Sequence, residues 1–179
     1  PRVEARLRST LGTMLTYLGD GPEAVRQMEA ALAWFTTHLG PDHPDTLACM
    51  NNLALGYTVA GRSADAIPLI ERVLAARQRF LAADDPLLIK TQYNLGCAFL
   101  GTNRHKEALD LFERTLPAQQ RILGPNHPDT LNTMVNLGAS YLLTGRRAEG
   151  ETLLGSALAV QRRVAPNHPH TLRSAFIRQ

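Results

Sequence analysis

Three side-chain patterns in this sequence could do chemistry, and two of them recur at a near-constant interval. The first is His-Pro-Asp, found at His43-Pro44-Asp45 and His127-Pro128-Asp129, with Asp85-Pro86 between them and His168-Pro169 after them. Imidazole beside carboxylate suggests metal ligands or an acid–base pair. A shared zinc ion needs all its ligands about 2 Å away, whereas neighbouring units of a helical array stand roughly 10 Å apart. One copy also carries Asp85 in place of His, so these residues are read as helix entries and no metal or cofactor is expected. The second pattern is Cys97 with His105. Eight residues of separation across a helix end give no paired nucleophile and base, and no catalytic constellation is expected elsewhere. The third is a column of asparagines, Asn52, Asn94 and Asn136, one every 42 residues. A side-chain amide offers both a donor and an acceptor, which suits the backbone of an extended peptide. Asn is a poor mid-helix residue, so its recurrence needs a cause. The competing cause is a hydrogen bond to local backbone or to the next helix.

The elements that must position these residues repeat with them. The X-Pro pairs are spaced by 42, 42 and 41 residues. In the same register stand Leu11, Leu53, Leu95 and Leu137, followed at once by Gly12, Ala54, Gly96 and Gly138. Large residues come four further on (Leu15, Tyr57, Phe99, Tyr141), then Gly19, Gly61, Asn103 and Gly145, types that accept the left-handed conformation ending a helix. Ala24, Ala66, Ala108 and Gly150 follow, with Met28, Ile70, Phe112 and Leu154 four beyond them and Leu32, Leu74, Leu116 and Leu158 closing the column. Spacings of three and four are those of amphipathic helices, and proline suits the first helical position. Each unit is therefore two helices, with no segment showing strand alternation. The expected fold is all-α: one array over residues 1–179, with units 1–42, 43–84, 85–126 and 127–167 and a partial fifth over 168–179. Pro68 falls near the start of a second helix. Pro117 lies deep in another, where an interior proline costs about 3 kcal/mol, and predicts a bend or local widening. Trp34, at an apolar spacing, is read as packing.

At Asn94-Leu95-Gly96-Cys97-Ala98-Phe99, Ala108 and Phe112 the pattern resembles the tetratricopeptide repeat. The period of 42 and the segment Leu123-Gly124-Pro125-Asn126-His127-Pro128-Asp129-Thr130-Leu131 narrow the resemblance to the kinesin-light-chain-like variety. The resemblance covers the whole chain. It implies a right-handed α-solenoid of antiparallel helix pairs whose concave groove binds peptides.

Positions facing a partner should lie on the first helix of each pair, away from the apolar seam. In the third unit these are Lys90, Asn94, Cys97 and Gly101. Matching stripes run through Arg6, Thr10, Thr13 and Tyr17, through Ala48, Asn52, Leu55 and Val59, and through Asn132, Asn136, Ala139 and Leu143. Asn51, Tyr93, Val135, Leu100 and Leu142 flank them and would supply apolar pockets and edges. A receptor for chaperone C-termini would place cations beside the asparagines, but Asn51, Tyr93 and Val135 stand there. A partly apolar peptide of a protein partner fits better. The second reading is a spacer or self-association module, pairing through its ends, within a larger regulatory protein.

Composition agrees with a protein-binding array. The chain has 179 residues, 44% of them hydrophobic and 20% charged, enough to bury a core. No apolar run approaches the roughly 18–20 residues of a spanning helix, so no membrane association is expected. Two cysteines make no disulfide framework and fit a reduced cytoplasmic thiol pool. Charge is uneven: residues 1–60 hold four Arg against six acids, residues 121–179 seven Arg against three. No run exceeds two adjacent Arg, so nucleic acid is not the expected partner.

Overall fold

A computed structural model describes residues 1–164, all of whose regular elements are helices. They are α1 (Arg2–Leu18), α2 (Gly21–Leu39), α3 (Pro44–Val59), α4 (Ser63–Gln78), α5 (Pro86–Gly101), α6 (His105–Ile122), α7 (Pro128–Leu143) and α8 (Arg147–Val164). The predicted partial fifth unit, residues 168–179, lies outside the described residues. By their contacts the helices fall into two compact units, one of α1–α5 and one beginning at Arg104 with α6–α8.

The X-Pro pairs open α3, α5 and α7 with proline at the first helical position. The preceding side chain closes the open N-terminus. His43 Nδ1 accepts from the Asp45 N–H at 3.1 Å, His127 Nδ1 from the Asp129 N–H at 3.2 Å, and Asp85 Oδ1 from the Leu87 N–H at 2.8 Å. Neutral imidazole and carboxylate both present an acceptor there, so His and Asp exchange freely between copies. Each helix pair turns through a left-handed residue: Gly19, Gly61 and Gly145 have φ of 85°, 74° and 87°. Asn103 takes the same place at φ 60° and is the one non-glycine residue with positive φ among the described residues.

Small residues bring the paired helices together. A Cβ at Gly12 would sit 2.5 Å from Met28 Cγ, and one at Gly138 2.7 Å from Leu154 Cγ. Behind these contacts the repeated apolar columns form the core. Ala24, Ala66, Ala108, Met28, Ile70 and Phe112 are completely buried. In the first unit α3 is held from both sides, by Val25, Met28 and Leu53 towards α2 and by Leu47, Met50, Val73 and Ala76 towards α4.

The prolines depart from expectation. α6 runs as uninterrupted α-helix from His105 to Ile122 through Pro117, without the predicted widening. Pro117 is exposed. Proline cannot serve the carbonyl of residue 113, and at an exposed position water can take the place of the missing donor. Pro68 is the sixth residue of α4, beyond the first turn, and is exposed in the same way. Trp34 packs as expected, edge-on to Phe35 at 5.7 Å and stacked on His38 at 4.4 Å.

Candidate functional site

In the first unit the first helices of successive pairs touch one another, α1 with α3 and α3 with α5, whereas α2 and α4 make no comparable contact. The side with the closer neighbours is the inner side of that unit, and it carries the predicted stripes. Polar links join α1 to α3, two of them spanning 39 residues. Arg6 donates to Asp45 Oδ2 at 3.1 Å, and Asn52 Nδ2 donates to Thr13 Oγ1 at 3.2 Å.

The asparagines on this face differ in state. Asn52 is half-buried and its amide is engaged by Thr13. Asn94 is 3% exposed, and its Nδ2 is buried with no hydrogen-bond partner. Counting back the same 39 residues from Asn94 reaches Leu55, so the position that offers Asn52 an oxygen here offers methyl groups. Asn51 is also 3% exposed, with an unpartnered Oδ1. Of the remaining predicted residues in this unit, Lys90 is exposed and Leu55, Tyr93, Cys97 and Leu100 are half-buried. In the second unit Asn132, Asn136 and Leu142 are half-buried on α7, whereas Val135 is buried against Leu154 and Ala157 of α8. Val135 is therefore part of the core, because residue 135 falls on the α8 side of α7.

Two features were missed at the level of sequence. Arg77, near the end of α4, is 7% exposed and donates through Nη1 to the Leu87 carbonyl at 2.9 Å and to Thr91 Oγ1 at 2.6 Å, tying α4 to α5. Burial pulls its pKa down and Asp85 opposes that effect. The other is a Tyr–Glu–Arg clasp at the outer corners. Tyr57 Oη donates to Glu29 Oε1 at 2.5 Å with Arg62 over the ring at 4.5 Å. Tyr141 repeats this with Glu113 at 2.9 Å and Arg146 at 4.1 Å. Burial, then Glu29, pushes the Tyr57 phenol up to about 12. The 42-residue recurrence of Arg62, Arg104 and Arg146 was the available signal.

Cys49 is 1% exposed, and burial pushes its thiol up to about 11, so it is no nucleophile at neutral pH. Among the described residues no group of three or more His, Cys, Asp and Glu could hold a metal ion, and no helix is long and apolar enough to cross a membrane. A shallow hollow of 460 Å³ lies in the second unit, lined by Leu116, Leu137, Tyr141, Ala148, Glu149, Thr152 and Leu153. None of the predicted site residues lines it.

Tandem antiparallel helix pairs with left-handed turns, a fixed small-residue column and a lined inner face define an α-helical repeat array. The sequence pattern of the tetratricopeptide repeat matches residues 3–78, 52–121 and 104–149, and a second pattern of the same description matches residues 130–170. The chain belongs to the tetratricopeptide repeat family, in its kinesin-light-chain-like form. A putative kinesin light chain from Podosopora anserina, with nearly identical TPR-like repeats, superposes with a TM-score of 0.78 at 27% identity, covering 99% of this chain and 85% of that one. A point variant of the same protein gives 0.78 at 28% identity, covering 97% and 82%. BtubC (BKLC) from P. vanneervenii shares the fold with a TM-score of 0.74 at 21% identity, covering 92% of this chain and 66% of that one. Compared by sequence with curated proteins, the chain finds no significant match. Membership of this family makes the chain a protein–protein interaction scaffold.

Proposed function

We propose that the chain is a non-enzymatic, cytoplasmic scaffold that binds an extended, partly apolar peptide segment of a partner protein on the face of its first helices. The observation that carries this reading is the buried, unpartnered amide Nδ2 of Asn94, on the inner side of the first unit. A buried donor without an acceptor costs about 1–3 kcal/mol, and a peptide carbonyl recovers that cost once the side chains covering Asn94, which is 3% exposed, part to admit it. Lys90, Tyr93, Cys97 and Leu55 surround the same register and supply one charge and several apolar contacts. On α7, Asn132 and Asn136 present side-chain amides in the second unit, with Leu142 beside them. Asn52 is the weaker anchor, because Thr13 already takes one of its two amide hydrogens.

The test is a peptide-library screen of the chain beside an Asn52→Ala/Asn94→Ala/Asn136→Ala variant whose fold is checked by circular dichroism. Peptides held by the parent and lost by the folded variant are expected. Asn94→Ala alone should weaken a captured peptide by about tenfold and Asn52→Ala by less. Equal binding by the folded triple variant would assign the asparagines to structure and reject the reading.

A further inference from the structure

The same four repeat positions close one seam of the inner face and leave the next one open. Between α1 and α3 they hold the Arg6–Asp45 ion pair at 3.1 Å and the hydrogen bond from Asn52 to Thr13 at 3.2 Å. Forty-two residues on, these positions are Ala48 and Leu87, Asn94 and Leu55, on α3 and α5. The ion pair has become two apolar side chains. Asn94 keeps the amide of Asn52, but a leucine replaces the threonine that offered it an oxygen, and its buried Nδ2 has no partner. Leu87 is 51% exposed in the first turn of α5, where the helix dipole favours an acid. α3 and α7 carry Asp45 and Asp129 there, and α5 carries no acid in that turn. By the register of Asp45 towards Arg6, Leu87 stands on the α3 side of α5. That neighbour is in place, so the exposure of Leu87 is not that of a helix whose flank has no partner.

We propose that the α3–α5 seam is the part of the inner face that takes the ligand, and that the ligand is an extended peptide with two fixed requirements. An apolar side chain covers Ala48 and Leu87, and a backbone carbonyl about three residues along accepts from Asn94 Nδ2. The inference rests on the peptide-binding reading and gives it a location and a sequence rule. The spacing follows from geometry. Seven residues from Leu87 to Asn94 rise about 10.5 Å along a helix, a length that about three residues of extended chain span. Lys90 stands between the two anchors and is exposed. A lysine or arginine in the intervening peptide positions would bring like charges together, so those positions exclude basic residues. The α1–α3 seam cannot serve in the same way, because its side chains at these positions already hold one another.

The test transplants the closed seam. Ala48→Arg, Leu55→Thr and Leu87→Asp copy Arg6, Thr13 and Asp45 into α3 and α5 and leave Asn94 in place, so each introduced residue already stands one repeat earlier. The probes are peptides selected by the wild-type chain from a random dodecapeptide display library, then synthesised and titrated. They are expected to share one apolar residue with no Lys or Arg in the two positions after it. The triple graft should weaken them about a hundredfold, and Leu55→Thr or Leu87→Asp alone about tenfold. Replacing the shared apolar residue of a peptide by Ala should weaken binding to the wild type and change little on Leu87→Asp. Circular dichroism and urea denaturation check each fold; if the triple graft does not fold, Leu87→Asp, at an exposed position, carries the test. A folded graft that binds as tightly as the wild type would overturn the inference. The peptide-face reading survives that result if the Asn52→Ala/Asn94→Ala/Asn136→Ala variant still loses the same peptides. Selected peptides without a shared apolar residue would also overturn the inference, and a wild-type chain that selects no peptide rejects it together with the reading beneath it.

Discussion

α1 and α3 hold the same place in successive repeats, yet α3 is enclosed and α1 is open along one flank. Leu53 on α3 is 2% exposed and its counterpart Leu11 on α1 is 46% exposed. The two leucines share a register column and differ in what lies beyond them. Position in the repeat sets the direction in which a side chain points, while burial is set by the neighbouring helix. A repeat array therefore assigns different energies to equivalent residues, as expected where stability is a sum of intrinsic and nearest-neighbour terms.

The largest contrast is tested by truncating both leucines. Leu53→Ala should lower unfolding free energy by about 2–5 kcal/mol and Leu11→Ala by less than about 0.5 kcal/mol, read from urea denaturation. Comparable losses would show that α1 is enclosed in solution after all. Next comes pH. The Cys49 thiol of α3 is raised from 9.0 to about 11 by burial, whereas its α1 counterpart Leu7 does not titrate. A raised folded-state pKa means that the neutral thiol's stabilisation is complete below pH 9 and is lost as pH climbs from 9 towards 11. The loss is about 2 kcal/mol, and Cys49→Ala should flatten that part of the stability–pH curve. An unchanged slope in the variant would remove Cys49 as its origin. The smallest effects separate two glycines. A Cβ at Gly12 of α1 would meet Met28 Cγ at 2.5 Å and the Ala24 carbonyl oxygen at 3.0 Å, while at Gly56 of α3 the nearest atom is Val25 Cγ2 at 3.5 Å. Gly12→Ala should destabilise by about 1 kcal/mol and Gly56→Ala should stabilise by up to about 1 kcal/mol, through helix propensity. Thermal melts that move in the same direction for both would contradict this packing.

Much of the fold was legible in the residues themselves. Prolines after His43, Asp85 and His127 marked helix starts, and the column Gly19, Gly61, Asn103, Gly145 marked turns, because these depend on backbone geometry and lie within a few residues. The candidate face was legible only as a direction. Whether Asn52 or Asn94 has a free amide depends on residues 39 positions earlier, Thr13 in one case and Leu55 in the other. Val135 sits on the predicted edge by spacing, yet Leu154 and Ala157 bury it. Pro117 sits within a continuous helix for a related reason: propensity counts the lost hydrogen bond, but exposure decides whether water can replace it. The buried guanidinium of Arg77 gave no local signal at all, since its acceptors belong to the following helix.

The left-handed turns have a consequence for how such a chain can change in length. Gly19, Gly61, Asn103 and Gly145 fix each corner at a single residue, and the first three stand 25 residues before the proline that opens the next helix, Pro44, Pro86 and Pro128. Inserting or deleting one residue between corner and cap rotates every later side chain by about 100° around its helix. The core columns and the polar rungs would then fall out of phase together. Removing or duplicating a full 42-residue period leaves every corner, cap and rung in phase. Across the three repeats that keep the 42-residue spacing, the edit that preserves phase is the whole repeat.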